Sequence, residues 1–308
     1  MELIRNQSQL RPHHQNCVAT IGNFDGVHLG HQAILRQLML QAQQRQLPAV
    51  VIIFEPQPQE FFAPQQANAR LTRLREKLMA LRRYGVTRVL CLHFNTQLAA
   101  LPANEFIEKI LVQGLKIQHL VVGDDFRFGQ DRQGHFGLLQ QFGQQYRFTV
   151  ASQPTFIING ERVSSTRVRQ ALEQGNMSVA QQLLGRPYTL CGRVRYGQQR
   201  GRRIGFPTAN IFLHRPISPL TGVFAVTLHG IHQQPLPGVA NLGIRPTVEG
   251  TQFLLEVHLF DFQETIYGQY VEVEFIRKLR DEQRFNSFEA LKQQIIQDVQ
   301  VAKAIFSS

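Results

Sequence analysis

The chain has 308 residues, enough for two domains, and its 43% hydrophobic and 18% charged residues are typical of a globular rather than a disordered protein. Its formal net charge of +11 indicates polyanionic partners, either nucleic acid or phosphorylated small molecules. No apolar run approaches the roughly 20 residues that a membrane span needs. Residues 1–14 show no secretory signal, and three widely separated cysteines (Cys17, Cys91 and Cys191) predict reduced thiols in a cytoplasm.

The first 180 or so residues alternate short apolar runs with amphipathic stretches. Strands that are continuously apolar and separated by helices predict a parallel sheet covered on both faces. Ligands of such sheets bind beyond the carboxyl ends of the strands. The predicted strands are 18–21, 49–54, 86–94, 120–122 and 148–151, with amphipathic stretches at 71–84 and 104–113.

The most informative segment lies between the first of these strands and a helical pattern that begins near Gln32. It reads Gly22-Asn23-Phe24-Asp25-Gly26-Val27-His28-Leu29-Gly30-His31. A spacing of three places His28 and His31 on one face of a helix, whose first turn attracts anions. The segment therefore predicts a site for nucleotide phosphates. A strand-to-helix turn with two surface histidines is the structural alternative.

This segment resembles the His-x-Gly-His signature of the nucleotidylyltransferase superfamily, whose members attack the α-phosphate of a nucleoside triphosphate. The resemblance implies catalytic roles for His28 and His31. It also implies nucleotide contacts from Gly22, Asn23, Phe24, Asp25 and Gly30.

A second segment, Ser164-Ser165-Thr166-Arg167-Val168-Arg169, begins another predicted helix and offers hydroxyls, backbone N–H groups and guanidinium groups to phosphate. It resembles the Ser-Ser-Thr-x-x-Arg signature of the same superfamily, which implies that Ser164, Ser165, Thr166 and Arg169 bind the triphosphate. An ordinary helix cap is the alternative.

A third segment, from Val121 to Gly129, ends a strand with two acids followed by aromatic and basic residues. It predicts polar contacts to a ribose or nucleobase and stacking contacts to a ring, by Asp125, Phe126 and Phe128. A capped turn is the structural alternative. The loop Glu55-Pro56-Gln57-Pro58 belongs to the same rim, because loops after parallel strands share one edge.

Together these segments resemble the adenylyltransferase module of the bacterial bifunctional riboflavin kinase/FAD synthetase family. The resemblance implies ATP binding by Asp125 and flavin binding by Phe126 and Phe128. Two positions depart from the family pattern: Gln57 replaces the His of Pro-His-Pro, and His135 replaces the Asp of Gly-Asp.

After Leu184 the pattern changes to closely spaced strands without intervening helices, which predicts an antiparallel barrel or sandwich. The predicted strands are 188–196, 222–228, 253–260 and 270–275, followed by a helix capped by Ser287. The boundary near Gly185 to Pro187 predicts domains at 1–185 and 186–308.

The string from Gly201 to Asn210 carries the chemistry of this second half. Its glycines suit a phosphate-binding loop, and the oxygens of Thr208 and Asn210 suit Mg²⁺. A glycine-rich turn that enters a strand is the alternative.

The string resembles the Gly-Phe-Pro-Thr-Ala-Asn signature of riboflavin kinases, and further matches follow at 238–247, 255–258 and 279–280. The resemblance implies nucleotide contacts from Gly201, Thr208 and Asn210, and Mg²⁺ at Thr208 and Asn210. It also implies Glu256 as general base and Arg280 in the flavin pocket. For Glu256, a side chain that faces solvent on an alternating strand is the alternative.

The leading hypothesis is a cytoplasmic bifunctional enzyme that converts riboflavin to FMN and FMN to FAD, using ATP with Mg²⁺. We expect neither a membrane nor a nucleic acid as a partner. A Rossmann-like parallel sheet and an antiparallel β-barrel would carry the two activities. One alternative leaves the adenylyltransferase half inactive, because of Gln57 and His135. Another is a nucleic-acid-binding protein that uses the nine arginines between Arg162 and Arg203. The oligomeric state is not indicated.

Overall fold

The computed structural model describes residues 1–197, 201, 205–215, 217–247 and 250–307. Part of the predicted glycine-rich string, 202–204, and Arg200, Arg202 and Arg203 of the basic run therefore lie outside the described residues. The chain folds into two compact units. The first comprises Met1–Asn68 and Thr72–Ser164, and the second comprises Ala69–Leu71 and Ser165–Ser308.

A parallel sheet of six strands forms the centre of the first unit, in the order β1-β4-β3-β2-β5-β6. The strands are β1 (Glu2–Arg5), β2 (Val18–Ile21), β3 (Ala49–Glu55), β4 (Arg88–His93), β5 (His119–Gly123) and β6 (Thr149–Gln153). The predicted parallel sheet is confirmed, and β2 has the predicted bounds. A small hairpin, β7 (Ile157–Ile158) and β8 (Glu161–Arg162), follows.

The helices of this unit pack apolar side chains on both faces of the sheet, which gives two separate core clusters. They are α1 (Leu29–Arg45), α2 (Pro58–Phe62), α3 (Leu74–Arg83), α4 (Thr96–Ala99), α5 (Ala103–Phe106), which continues as a π-helix over Ile107–Gly114, and α6 (Phe136–Tyr146).

Strand β1 was not predicted, because only Ile4 of its four residues is buried and the hydrophobic signal is correspondingly weak. It lies at the edge of the sheet beside β4. Polar contacts hold it there: the Glu2 carboxylate accepts from His14 at 2.9 Å and lies 3.6 Å from the Arg88 guanidinium.

The strand order places a topological switch at β2, because the chain continues to β3 on one side of this strand and later returns to β5 on the other. Ligands of open parallel sheets bind in the crevice outside the carboxyl ends at such a point. The loops after β2 and β5 contain two of the predicted segments. The fold therefore brings them to the same edge of the sheet.

A closed barrel of six antiparallel strands forms the second unit, in the order β10-β13-β12-β11-β14-β9. The strands are β9 (Tyr188–Arg195), β10 (Ala209–Phe212), β11 (Gly222–His229), β12 (Leu236–Thr247), β13 (Gly250–Leu259) and β14 (Tyr270–Arg280). The predicted antiparallel barrel is confirmed. Helices α7 (Ser165–Glu173), α8 (Met177–Leu184) and α9 (Phe288–Ser307) complete the unit.

Strands β10 and β12 were not predicted as strands. β10 has only four residues, and β12 contains Pro237 and Gly238, which weaken a strand pattern. Glycine is required at 238, since a Cβ atom there would lie 2.5 Å from the carbonyl oxygen of His258 on β13.

The last helix begins as predicted: the Ser287 hydroxyl accepts the backbone N–H of Ala290 at 3.1 Å. Its buried Asp298 binds Arg280 of β14 through two nitrogens, Nε at 2.9 Å and Nη2 at 2.7 Å. This ion pair fixes α9 to the end of β14, because a buried carboxylate is stable only when it is paired.

Cys17, Cys91 and Cys191 are buried thiols, and burial raises the pKa of Cys17 to about 12. In the part of the chain that the structure describes, no helix is long and apolar enough to cross a bilayer.

Candidate functional site

The loop between β2 and α1 is buried in an unusual backbone conformation. Phe24, Gly26 and Val27 have φ angles of 47°, 80° and 44°. Left-handed conformations are uncommon outside glycine and costly for a β-branched residue such as Val27. Phe24, Asp25 and Val27 are each at most 2% exposed, so that the protein itself must satisfy the polar groups of the loop.

His28 and His31 lie together at the start of α1, as their spacing predicts. Their rings stack with centroids 3.7 Å apart and an interplanar angle of 18°. His28 is the N-cap, and its Nδ1 accepts the backbone N–H of His31 at 3.4 Å. A neutral His28 therefore carries its proton on Nε2. Gly30 allows this packing, since a Cβ there would lie 3.2 Å from the His28 ring.

His31 is held in its neutral form. Burial is the largest cause that lowers the pKa of His31 well below its ordinary value, and the charges of His28 and Lys77 lower it further. The ring also contacts Phe24, at a centroid distance of 5.0 Å. At neutral pH, His31 therefore offers one N–H donor and one acceptor rather than a positive charge.

Lys77 is a buried cation that belongs to none of the sequence motifs. It lies on α3, is 0% exposed, and is close enough to His31 for its charge to lower the pKa of that residue. One signal was present in the sequence: Lys77 shares a helix face with Ala80 and Leu81, both buried, so a charged residue occupies an apolar face.

Two buried nitrogens at this edge have no hydrogen-bond partner among the residues that the structure describes. They are His31 Nδ1, after β2, and Nε2 of Gln57, after the adjacent strand β3. Gln57 is 8% exposed, and its backbone N–H donates to Glu60 at 2.9 Å. Buried polar atoms nearly always have a hydrogen-bond partner, and a bound polar ligand would supply one to each of these nitrogens.

The loop after β5 carries the predicted acidic and aromatic residues. Asp125 is exposed and forms an ion pair with Arg162. Phe126 and Phe128 stack at a centroid distance of 5.4 Å, and Phe128 is buried against the core. Phe126 is therefore more available to a ligand than Phe128.

His135 acts as a helix cap at the position where the family pattern has Asp. It is the N-cap of α6, and its Nδ1 accepts the backbone N–H of Leu138 at 3.3 Å. Asp is one of the preferred N-cap residues, so His135 performs the same local bonding. This departure from the pattern has a structural explanation that involves no substrate.

The structure divides the second predicted phosphate segment. Ser164 belongs to the first unit, next to Val163, whose carbonyl oxygen lies 3.6 Å from a Cβ built on Gly30. Ser164 is therefore close in sequence to a residue beside the His28 loop. Ser165, Thr166 and Arg169 belong to the second unit, where they lie on α7 and Arg169 Nε donates to Ala69 O at 2.6 Å.

Within the described residues, one group of side chains has the spacing of potential metal ligands: Glu2, His13 and His14. Hydrogen bonds within the protein account for this arrangement. His14 Nδ1 accepts the backbone N–H of Arg11 at 3.0 Å, so a neutral His14 carries its proton on Nε2 and donates it to Glu2. A metal ion would need the Nε2 lone pair. The group anchors β1 instead.

In the second unit, the predicted loop and strand residues lie together. Gly201 accepts the backbone N–H of Phe206 at 2.9 Å, and a Cβ on Gly201 would lie 3.6 Å from Thr208 Cγ2. Asn210 donates from Nδ2 to the Thr208 carbonyl at 3.3 Å. A Cβ on Gly197 would lie 2.4 Å from the Asn210 amide, so this glycine covers Asn210 closely.

Glu256 lies in a polar row on the outer face of the barrel. The register pairs it with Asn210 on one side and Asn241 on the other, and directly opposed residues share a face. Leu255 and Val257 point to the core, whereas Glu256 is half-buried. Asn241 Oδ1 is buried and has no hydrogen-bond partner in the described chain. Besides the Glu256 carboxylate, it is therefore another oxygen of the polar row that could bind a ligand.

Arg280 is engaged by the protein itself. Its Nε and Nη2 bind Asp298, and its Nη1 donates to the Asp281 carbonyl at 2.9 Å. Its guanidinium also lies 5.8 Å from the centroid of Phe285. The predicted flavin contact of Arg280 stays a prediction, and any such contact shares the guanidinium with these partners.

Comparison with known proteins divides the chain into two family matches. The family model described as FAD synthetase matches residues 10–167, and the one described as riboflavin kinase matches residues 184–306.

Curated relatives match along the full length, and each is named a bifunctional riboflavin kinase/FMN adenylyltransferase. The Escherichia coli K12 protein is 50% identical, covering 99% of this chain and 98% of the relative. The Pseudomonas fluorescens protein is 52% identical with the same coverage, and the Haemophilus influenzae protein is 48% identical with both chains fully covered.

A solved structure from Streptococcus pneumoniae, named a macrolide-efflux protein, is similar with a TM-score of 0.83 and 32% identity. The match covers 98% of this chain and 99% of that one. We use this similarity as evidence for the fold alone.

The neutral state of His31 can be measured by NMR titration. We expect its imidazole resonances, assigned by their loss in His31→Gln, to stay constant from pH 7.5 to pH 5.5. A histidine in the unfolded chain titrates near 6.5, so the unfolded state takes up this proton first. The contribution of His31 to stability is therefore present above about pH 6.5 and lost as the pH falls below it. A midpoint near 6.5 in the folded protein would contradict the described environment.

Proposed function

Because the chain belongs to the family of bifunctional riboflavin kinase/FMN adenylyltransferases, we propose that its two reactions use two separate groups of residues. The enzyme phosphorylates riboflavin to FMN with ATP and transfers the adenylyl group of ATP to FMN. The observation that carries the first assignment is the stacked His28 and His31 pair at the N-terminus of α1, beside the switch point of the sheet.

In adenylyl transfer, an FMN phosphate oxygen attacks the α-phosphorus of ATP. The bond from that phosphorus to the bridging oxygen breaks, and pyrophosphate leaves with the negative charge. The nucleophile is already anionic, so no general base is needed. The site must align the reactants and stabilise charge on the leaving group.

His28 and His31 fit this task as hydrogen-bond donors, supported by the N-terminal dipole of α1 and the nearby charge of Lys77. A neutral imidazole can hold a phosphate oxygen without adding a proton to it. The nucleotide contacts named from the sequence remain proposals for this reaction. They are Gly22, Asn23, Phe24, Asp25, Gly30, Asp125, Ser164, Ser165, Thr166 and Arg169, with Phe126 and Phe128 toward the flavin.

In riboflavin phosphorylation the nucleophile is a ribityl alcohol, whose proton must leave as oxygen bonds to the γ-phosphorus. Glu256 suits the role of general base, because it is half-buried and lies between Asn210 and Asn241 in the polar row. The carboxylate accepts the proton, and ADP leaves from the γ-phosphorus. Arg280 would lie beside the flavin.

Thr208 and the two asparagines of the polar row also fit a magnesium ion. The hydroxyl of Thr208, the amide oxygen of Asn210 and Oδ1 of Asn241, which has no hydrogen-bond partner among the described residues, are oxygen donors of the kind that Mg²⁺ prefers. We assign the ion to Thr208 and Asn210. When bound, Mg²⁺ neutralises charge on the ATP phosphates.

The remaining assignments are also proposals. We place the functional boundary between residues 185 and 186, and the protein in the cytoplasm. We expect no nucleic-acid partner. An adenylyltransferase half that binds without catalysis is the second candidate. Gln57 in place of the His of the family pattern is the observation behind it, whereas the capping role of His135 gives it no support.

Loss of the two histidines should separate the activities. The variant His28→Ala/His31→Ala should make FMN normally but should form FAD from supplied FMN about 100-fold to 1,000-fold more slowly, because it lacks preorganised donors. The exposed His13→Ala is the control and should keep both rates. If the double variant makes FAD at the ordinary rate, these residues are structural.

Glu256→Gln should separate the activities in the opposite direction. It preserves the shape of the side chain but removes its basicity, so riboflavin phosphorylation should slow by about 100-fold or more. FAD synthesis from supplied FMN should continue. Glu274→Gln, a half-buried acid on the non-adjacent strand β14, is the matched control. Normal phosphorylation by Glu256→Gln would show that the carboxylate is not the base.

The boundary is tested with fragments. All six barrel strands and α9 lie between residues 188 and 307, so the fragment 186–308 should fold and make FMN but not FAD. A longer fragment, 165–308, adds helices α7 and α8. If only the longer fragment folds and makes FMN, the boundary lies before α7.

A further inference from the structure

Thr72, which lies just before α3, makes three hydrogen bonds to the loop between β2 and α1. Its backbone N–H donates to Asp25 Oδ1 at 3.0 Å, and its hydroxyl donates to the same oxygen at 3.2 Å. The hydroxyl oxygen also accepts the backbone N–H of Gly26 at 3.0 Å. Thr72 is 6% exposed and Asp25 is 2% exposed, so these bonds are shielded from water.

The contacted loop has a backbone conformation that needs support from the rest of the first unit. Phe24, Gly26 and Val27 all have φ between 44° and 80°. Such conformations persist only where the surroundings impose them. A second side chain assists: Gln32 Nε2 donates to the Val27 carbonyl at 2.9 Å. Of these two contacts, only that of Thr72 comes from outside the segment that begins at β2 and ends in α1.

We propose that Thr72 is a positioning residue for adenylyl transfer. Its hydroxyl holds Asp25 and Gly26 so that the loop ends at His28 with the geometry that stacks this ring on His31. The inference rests on the proposed function of His28 and His31. It also gives the Asp25 carboxylate a task in the protein, as the acceptor that connects the loop to Thr72.

The expected effect is mainly on kcat. Donors that stabilise the transition state act only when they are already in place, so a looser loop weakens them at the moment of reaction. ATP binding also uses contacts outside this loop, so its KM should change less. A residue that only maintained overall folding would change the amount of active enzyme, and with it both thermal stability and the rate.

The two conservative variants of Thr72 separate hydroxyl from shape. Thr72→Val keeps the volume and β-branching but removes the hydroxyl, and Thr72→Ser keeps the hydroxyl but removes the methyl group. If hydrogen bonding positions the loop, serine restores the function and valine does not. If packing is what matters, the order reverses.

The experiment uses the full-length enzyme and measures FAD formation from FMN and ATP with Mg²⁺. Phosphorylation of riboflavin by the same samples is the internal control. We expect Thr72→Val to lower kcat about 10-fold to 100-fold, with kinase activity unchanged, and Thr72→Ser to stay within about 3-fold of wild type. A control for the loss of a threonine hydroxyl elsewhere in the first unit is the exposed Thr149→Val. It removes a hydroxyl that is 2.6 Å from His119 Nδ1 at the amino end of β6, far along the strands from the proposed site, and should leave kcat unchanged.

Three outcomes would overturn the inference. They are a normal kcat in Thr72→Val, a loss in Thr72→Ser that equals the loss in Thr72→Val, and a loss that is fully matched by unfolding at the assay temperature. If Thr72→Val is normal while His28→Ala/His31→Ala fails, only the role of Thr72 is wrong. If the histidine variant is also normal, the proposed function of the histidines fails first.

Discussion

The bonds that hold the loop between β2 and α1 are the constraint on which the rest of the first candidate site depends. The loop places His28 where it caps α1, and the cap places His31 one turn later with its ring stacked on His28. The left-handed conformations of Phe24 and Val27 are unfavourable for an isolated chain. Part of the free energy of folding is therefore used to keep donors in place before substrate arrives.

The barrel achieves the same preorganisation by strand register. Asn210, Glu256 and Asn241 come from three strands that are adjacent in the barrel, although in the chain β11 separates β10 from β12 and β13. A slip of one residue on any of them would turn its polar side chain toward the core. Buried residues on both sides of Glu256, such as Leu255 and Val257, prevent such a slip. The hydrophobic core of the barrel thus specifies the position of the carboxylate.

Some of this was predictable from the sequence, and the reasons are physical. β2 and β3 are uninterrupted apolar runs, so that their burial was evident. That His28 and His31 lie together at the start of α1 follows from their spacing of three, whereas the stacking of their rings depends on the loop before α1. β1 and β10 are short and mostly polar or half-buried, and were missed. Thr72 could not be connected to Asp25 from sequence, because 47 positions separate them and only the packing of α3 brings them together. Buried partners of this kind depend on tertiary structure.

The central claim is that the two reactions occur at independent sites on one chain. Mixing two defective enzymes tests it most directly. His28→Ala/His31→Ala and Glu256→Gln are each incubated with riboflavin, ATP and Mg²⁺, separately and together, and riboflavin, FMN and FAD are separated over time. We predict that neither variant alone converts riboflavin efficiently to FAD, whereas the mixture does, because FMN made by the first diffuses to the second. Failure of the mixture, with each variant retaining its own single activity, would contradict independent sites.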